Sequence, residues 1–472
     1  MDASDIVIVG AGAAGMMAAL AARGAVGADG MPRLPGLQAP RVLLVDGATK
    51  PGAKILIAGG GRCNVANECA TEDDFSTDRP HVLRSILREF SPESVRRFFE
   101  GRGCALQAEP FGKLFPRSQR ARDVLSTLLS AVEESGAVLW QGHRVTRVEP
   151  RESGSGWALT FAGHSGVRAR RVIVATGGQS VPETGSRGFG FELARELGLR
   201  LEAPHPALSP LLLCQPSPLA GLAGITVPVI LSVVPLGTPL ERIAGARFRP
   251  AARAAGSLVV THSGVSGPAA LDVSGAWEQR SLAGERSELR ADFWTLALLD
   301  SPLRSAALLA KPPGACLRRE ETPRPVSAAR FAESVVNLLG HVPASLGGVL
   351  AQRLPRRLAH ALLQNAGLDP TRPVAAMTPG EWRRAYEALV HVLLPVKSTE
   401  GYRKAEVTAG GVRLGELSRA ALESVSRKNL YFCGEVVNVT GRLGGFNFQW
   451  AWSSGFVAGR GAAQGLEGEA GG

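Results

Sequence analysis

The chain has 472 residues, 45% of them hydrophobic and 20% charged, and carries a formal net charge of +11 from 53 basic and 42 acidic side chains. That length exceeds one hydrophobic core, and that balance excludes a disordered or fibrous chain. No apolar run reaches the roughly 18 residues of a membrane span, and Asp2 and Asp5 stand where a signal peptide would carry positive charge. Six scattered cysteines (Cys63, Cys69, Cys104, Cys214, Cys316, Cys433) form no Cys-x-x-Cys pair. A reduced, cytoplasmic protein with no membrane segment and no metal is expected. The positive charge permits a polyanionic partner such as RNA. It is carried mostly by arginine in an Ala/Gly/Pro-rich chain, which GC-rich coding alone would produce.

The first predicted element is a buried strand at residues 6–9, followed by Gly10-x-Gly12-x-x-Gly15 and a helix over 16–23. That order predicts a dinucleotide site. Gly10 allows the tight turn, Gly12 the approach of backbone to a pyrophosphate, and Gly15 close helix packing, with Ala13 and Ala14 at the helix N-terminus facing the phosphates. A Gly/Pro-rich surface loop spans 24–40, and a second strand ends at Asp46. An acid there takes adenosine ribose hydroxyls, usually about 20 residues past the glycines; the loop explains its later position. The alternative is a strand-end turn residue. Residues 50–67 hold Lys54, three glycines at 59–61, then Arg62, Cys63 and Asn64. Three ordered glycines are entropically costly, so this stretch, Gly60 included, reads as a cofactor loop.

Helices are predicted over much of 81–135, one opened by Ser91 with Pro92 at its first position. Strands follow at 137–139, 143–148 and 157–161, the last two joined by a turn at 153–156, then a strand from 170 into Ala175-Thr176-Gly177-Gly178. From about 203 proline becomes frequent and short β-branched runs (226–234, 257–261, 291–293) alternate with turns, the texture of a β-rich domain. His262 sits in a Thr-His-Ser-Gly turn there, as an acid or a capping donor. Helices are expected at 331–339, 346–352, 358–365 and 381–394, the last opened by a capping box at Thr378 and Glu381. A glycine-broken strand at 405–412 and a strand ending in Cys433-Gly434-Glu435 precede Gly441-Arg442-Leu443-Gly444-Gly445, which opens the final helix with Asn447 in its first turn. An acid such as Glu435 holds ribityl hydroxyls, which a nicotinamide cofactor lacks. The two glycine-rich ends therefore argue for FAD as the resident cofactor, with no second Rossmann motif for NAD(P)H.

These strings together resemble the BaiN/RdsA-type (YhiN-like) family of NAD(P)/FAD-dependent oxidoreductases over essentially the whole chain. The Gly-Gly-Gly-Arg-Cys-Asn string at 59–64 and the string at 441–455 are the most specific. The resemblance implies an α/β architecture: a discontinuous Rossmann-like FAD-binding domain (1–203 and 396–472), an inserted β-barrel-like domain (204–325) and a small helical domain (326–395). It assigns FAD contacts to Gly10, Gly12, Gly15, Asp46, Lys54, Arg62, Asn64, the backbone near Val145, Gly177, Glu435, Gly445 and Asn447. It implies that NADPH or NADH is the transient reductant. It implies reduction of an activated carbon–carbon double bond, either a uridine of 23S ribosomal RNA giving dihydrouridine or a small steroid-like or bile-acid-like enone. The net charge and the arginine clusters (96–97, 117–122, 168–171, 353–357) lean towards RNA. Cys63 and His262 lead as proton donors, ahead of Cys433, Lys404 and Arg442. A rival of another class is a non-catalytic, FAD-stabilised RNA-binding or assembly factor.

Overall fold

The computed structural model describes residues 2–36, 38–151, 156–245, 247–298, 324–339 and 344–470. Cys316 and most of the expected 153–156 turn lie outside them. The chain forms two compact units, Met1–Pro204 with Val407–Gly472, and His205–Pro312 with Leu317–Glu406, apart from a short stretch at 313–316.

In the first unit the strand Asp2–Val9 is central to a parallel sheet, with Val42–Val45 on one side and His164–Val174 on the other. Val138–Trp140 extends the sheet beyond Val42–Val45, and Leu430–Phe432 pairs with the end of His164–Val174. Residues 6–9 and 42–45 are β-branched or Leu and buried throughout, as a parallel sheet covered on both faces requires. Trp157–Phe161 and Val145–Pro150 add an antiparallel meander. The helix Ala13–Ala22 packs against the last helix, Phe446–Ala470. A Cβ at Gly455 or Gly459 would run into the carbonyl oxygens of Ala14 or Ala18, so these two glycines permit the close approach. The chain's two ends thus build one sheet and one helix pair, the expected discontinuous arrangement.

The second unit is a closed barrel. Its antiparallel sheet runs Val392–Leu394, Ser287–Asp292, Thr226–Pro235, Ala252–Val260, Gly264–Ser266, Leu211–Leu213, Val396–Thr399. The first and last of these strands are separated only by Pro395. Leu394 pairs with Leu289 and Val396 with Leu213, while the Pro395 carbonyl accepts the Cys214 N–H at 2.7 Å. Proline has no N–H to give a ladder, and here it marks the switch from one sheet edge to the other.

Three expectations are corrected. The helix predicted to reach residue 394 ends at Val390, and Val392–Leu394 is a barrel strand; β-branched Val392 beside Pro395 suits extended backbone. Barrel and helices share one core, with Phe331 of Ala328–Leu339 packed at 5.6 Å on Trp294, so no boundary falls at 325/326. The return to the first unit comes at Val407 rather than 396. The helices Phe189–Glu196 and Pro268–Leu282 were not expected; in the second, the buried residues Ala269, Ala270, Val273 and Ser274 are small and give little apolar periodicity to read.

Candidate functional site

Because Asp2–Val9, Val42–Val45, His164–Val174 and Leu430–Phe432 run parallel, the residues that follow them gather at one edge of the sheet. That carboxyl edge is where doubly wound folds take ligands. Gly10 has φ 107°, and a Cβ there would lie 2.5 Å from the Ala175 oxygen; a Cβ at Gly15 would collide with the Gly10 oxygen. Gly12, by contrast, faces open space within 4 Å. The helix Ala13–Ala22 starts there with no side-chain cap, so first-turn N–H groups, those of Ala13 and Ala14 among them, have no intrahelical acceptor. Asp46 braces this loop: its Oδ2 accepts the Ala11 N–H at 2.7 Å and its Oδ1 the Ala48 N–H at 2.8 Å. Val145 opens a meander strand whose register shifts between Val145 and Arg147.

The second cluster joins 53–67 to 441–454. Residues 53–57 form a helical turn, after which Gly59, Gly60 and Gly61 take φ of 57°, 69° and 84°, a left-handed run open to glycine at little steric cost. Asn64 follows, and its Oδ1 is buried without a hydrogen-bond partner; a Cβ on Gly445 would sit 2.8 Å from that oxygen. Asn67 Nδ2 donates to the carbonyls of Phe111 (3.0 Å) and Gly444 (2.9 Å). Asn447 closes its own turn, exchanging two 2.9 Å bonds with the main chain of Gly441. Trp452 Nε1 donates to the Val65 carbonyl and Trp450 Nε1 to the Gly434 carbonyl, fixing the last helix against both glycine segments. Arg62 stacks 4.1 Å over Phe115, with Nη1 bound to Glu109 and Gln119.

Between the clusters lies the ion pair of Lys54 and Glu435, 2.9 Å apart and about a quarter exposed. Gly177, at φ 71°, turns the chain beside Glu435. Ser180 and Thr408 complete this group and were missed by sequence reasoning; their only signal was a hydroxyl just beyond a glycine turn and another just before paired glycines. FAD fits these residues on two observations: the open Gly12 turn at an uncapped helix, and the orphaned Asn64 oxygen beside Gly445, which a ligand donor would satisfy.

The expected proton donors divide. Cys63 and Cys433 have no accessible surface, and burial, with Cys104 also near Cys63, pushes both thiols up. They are packed in the core, so the expectation of Cys63 as donor is corrected. Arg442 is paired at 2.7 Å with buried Asp74. His262 is exposed at a hairpin tip in the second unit, where Thr261 Oγ1, not the ring, accepts the Gly264 N–H; Lys404 is exposed in that unit as well. The arginine clusters also divide. Arg96 and Arg97 are paired with Glu68, Glu100 and Glu93, and Arg171 is buried against Tyr431, whereas Arg117, Arg122, Arg168 and Arg170 are exposed.

The sequence profile of the HI0933-like protein Rossmann domain matches residues 4–461. The ribosomal RNA dihydrouridine synthase of Escherichia coli is 31% identical over 456 residues, 96% of each chain. The 3-dehydro-bile acid delta(4,6)-reductase of Clostridium scindens is 28% identical, covering 97% of this chain and 99% of its own. A ribosomal RNA dihydrouridine synthase of Haemophilus influenzae is 27% identical over 96% of this chain and 97% of its own. The chain therefore belongs to the HI0933-like family of Rossmann-type, FAD-binding oxidoreductases.

Proposed function

We propose that the protein is an NAD(P)H-oxidising, FAD-dependent reductase of an activated carbon–carbon double bond, and that its substrate is a uridine of 23S ribosomal RNA, giving dihydrouridine. The observation that carries this reading is near-full-length similarity, at 31% identity, to a ribosomal RNA dihydrouridine synthase. The exposed arginines and the net charge of +11 support a polyanionic substrate. FAD, when bound, supplies hydride transfer from the nicotinamide to the alkene; the chain binds, orients and excludes water. The N–H groups at Gly12, Ala13 and Ala14 would hold the pyrophosphate, Asp46 the adenosine ribose, Glu435 the ribityl chain, and Asn64 with Gly445 the ring. His262 is proposed as the proton source. Replacing it with Gln should slow turnover while leaving flavin reduction by NADPH unchanged. An RNA substrate also requires its uracil to leave the stack and enter a pocket. We place action in the cytoplasm, where ribosomal RNA and NADPH meet.

Similarity to the bile-acid reductase over 97% of the chain supports a second reading, reduction of a small enone. Anaerobic mixing with NADPH tests the shared chemistry: the flavin should bleach. Persistent oxidised flavin would leave the non-catalytic RNA-binding reading instead. Incubation of the reduced protein with ribosomal RNA lacking the modification should produce dihydrouridine. If the flavin bleaches but only enones reoxidise it, the RNA assignment falls.

A further inference from the structure

We propose that Ser180 and Thr408 are positioning residues that set the Lys54–Glu435 pair to receive the cofactor, an inference that rests on the FAD reading above. Four segments remote in sequence meet in one polar ring. Glu435 Oε1 accepts the Thr408 N–H at 2.6 Å and the Ser180 hydroxyl at 3.3 Å, and Oε2 accepts Lys54 Nζ at 2.9 Å. Lys54 Nζ also donates to Ser180 Oγ at 2.7 Å. Thr408 Oγ1 accepts the N–H groups of Gln179 (2.7 Å) and Ser180 (3.1 Å), holding the turn that delivers the serine. A Cβ on Gly178 would strike the Thr408 side chain and lie 2.6 Å from Glu435 Oε1, so glycine lets this turn close on the carboxylate.

The ring has an inner and an outer side. Ser180 and Thr408 are buried, at 0% and 1% exposure, while the Lys54 and Glu435 side chains keep 25% and 21%. A carboxylate offers about four acceptor sites and an ammonium three donors. Three of the former and two of the latter are used inside the protein, leaving one acceptor site on Glu435 and one donor on Lys54 at the exposed side. The ring thus presents an adjacent acceptor and donor, the complement of a hydroxyl beside a carbonyl. A ribityl chain joined to a flavin ring carries both. Thr408 Oγ1 thus fixes the Gln179–Ser180 turn, and through it the Ser180 hydroxyl that bridges Lys54 Nζ and Glu435 Oε1.

The test uses the full chain and FAD binding followed by flavin fluorescence, well below the unfolding temperature. Thr408→Val keeps the β-branched shape and deletes the acceptor; it should weaken FAD binding about tenfold and shift the visible absorption of the bound flavin. Thr408→Ser should restore both. Ser180→Ala adds no bulk and should weaken binding to a similar extent, so it decides the matter if Thr408→Val does not fold. Wild-type affinity and spectrum in the folded variants, whatever happens to thermal stability, would overturn the proposal. So would a Thr408→Ser protein as impaired as Thr408→Val. A wild-type protein that binds no FAD overturns the cofactor reading itself, a result distinguishable from FAD-replete wild type with unaffected variants.

Discussion

Two polar networks, one in each unit, tie remote segments, and they differ in what they expose. In the first unit Lys54, Ser180, Thr408 and Glu435 form a ring whose charged members stay partly exposed with hydrogen-bonding capacity to spare. In the second, buried Asp292 accepts the N–H groups of Trp294 (2.9 Å) and Thr295 (2.8 Å) and the Thr295 hydroxyl (2.5 Å). Thr295 Oγ1 accepts the Val326 N–H, and the Tyr386 hydroxyl joins the Val326 carbonyl to His391 Nε2. Asp292, Thr295 and His391 are all buried, so that network is sealed from solvent. Yet burial pushes Asp292 up to about 6, His391 down to about 4 and Tyr386 up to about 12. Perturbed titration alone would nominate the second network as the functional one. Accessible surface nominates the first, and it is the better guide here: titration is shifted by sealing a group away, which is the opposite of offering it to a ligand.

The largest expected effect breaks the sealed network. Asp292→Ala leaves two buried N–H groups unpaired and should destabilise the second unit by about 4 kcal/mol, with FAD content unchanged in whatever protein remains folded. Chemical unfolding beside flavin quantitation checks both halves. Loss of flavin at unaltered stability would invert the comparison.

A smaller effect, visible only against pH, comes from the opposed titrations. Asp292 has a folded pKa of about 6, above its ordinary 3.8, so its contribution is full below 3.8 and is lost as pH rises through 6. His391, lowered first by burial and then by Arg290, has a folded pKa of about 4 against 6.5. Its contribution is present above 6.5 and is lost as pH falls through 4. Each amounts to roughly 3 kcal/mol, and between pH 4 and 6 they run in opposite directions. Wild-type stability of the second unit should therefore be nearly flat in that window. Asp292→Asn removes one arm, so stability should fall by about 3 kcal/mol as pH drops from 6.5 to 4. Thermal unfolding across that range decides; a variant as insensitive as wild type ends the argument.

In the first unit, Asp46→Ala removes the charged acceptor of the Ala11 N–H and should cost about 2 kcal/mol of FAD binding, roughly thirtyfold, with little change in unfolding. Flavin-to-protein ratio after exhaustive dialysis measures it. Full retention would sink the ribose role assigned to Asp46.

What could be read in advance follows the same division. The Gly10–Gly15 turn was legible because it carries local geometry: strand, tight turn and helix start. The Ser91 and Thr378 caps were legible for the same reason, a side chain bonding its own first turn. Ser180 and Thr408 were not, because an isolated hydroxyl gains its meaning from a partner more than 200 residues away. The closure of the barrel through Pro395 was hidden likewise, since Val392 and Leu394 read equally as the end of an apolar helix. Burial of Cys63 was illegible too: its neighbours in sequence are polar, and the core that swallows it is assembled from other segments.

The smallest effect tests whether a purely local, closed device in the second unit behaves as structure only. Thr378 Oγ1 accepts the Glu381 N–H at 3.3 Å, and Glu381 Oε2 accepts the Thr378 N–H at 2.8 Å, at the start of Pro379–Val390. Thr378→Ala should cost about 1 kcal/mol. The helix supplies Tyr386 and leads directly into His391, so the loss should appear in the same unfolding transition as that of Asp292→Ala, in smaller measure. FAD affinity should stay at the wild-type value. An unfolding midpoint equal to wild type would mean that the helix start is held by its packing on the shared core and not by its cap, and a fall in FAD affinity would mean that the sealed network communicates with the exposed one.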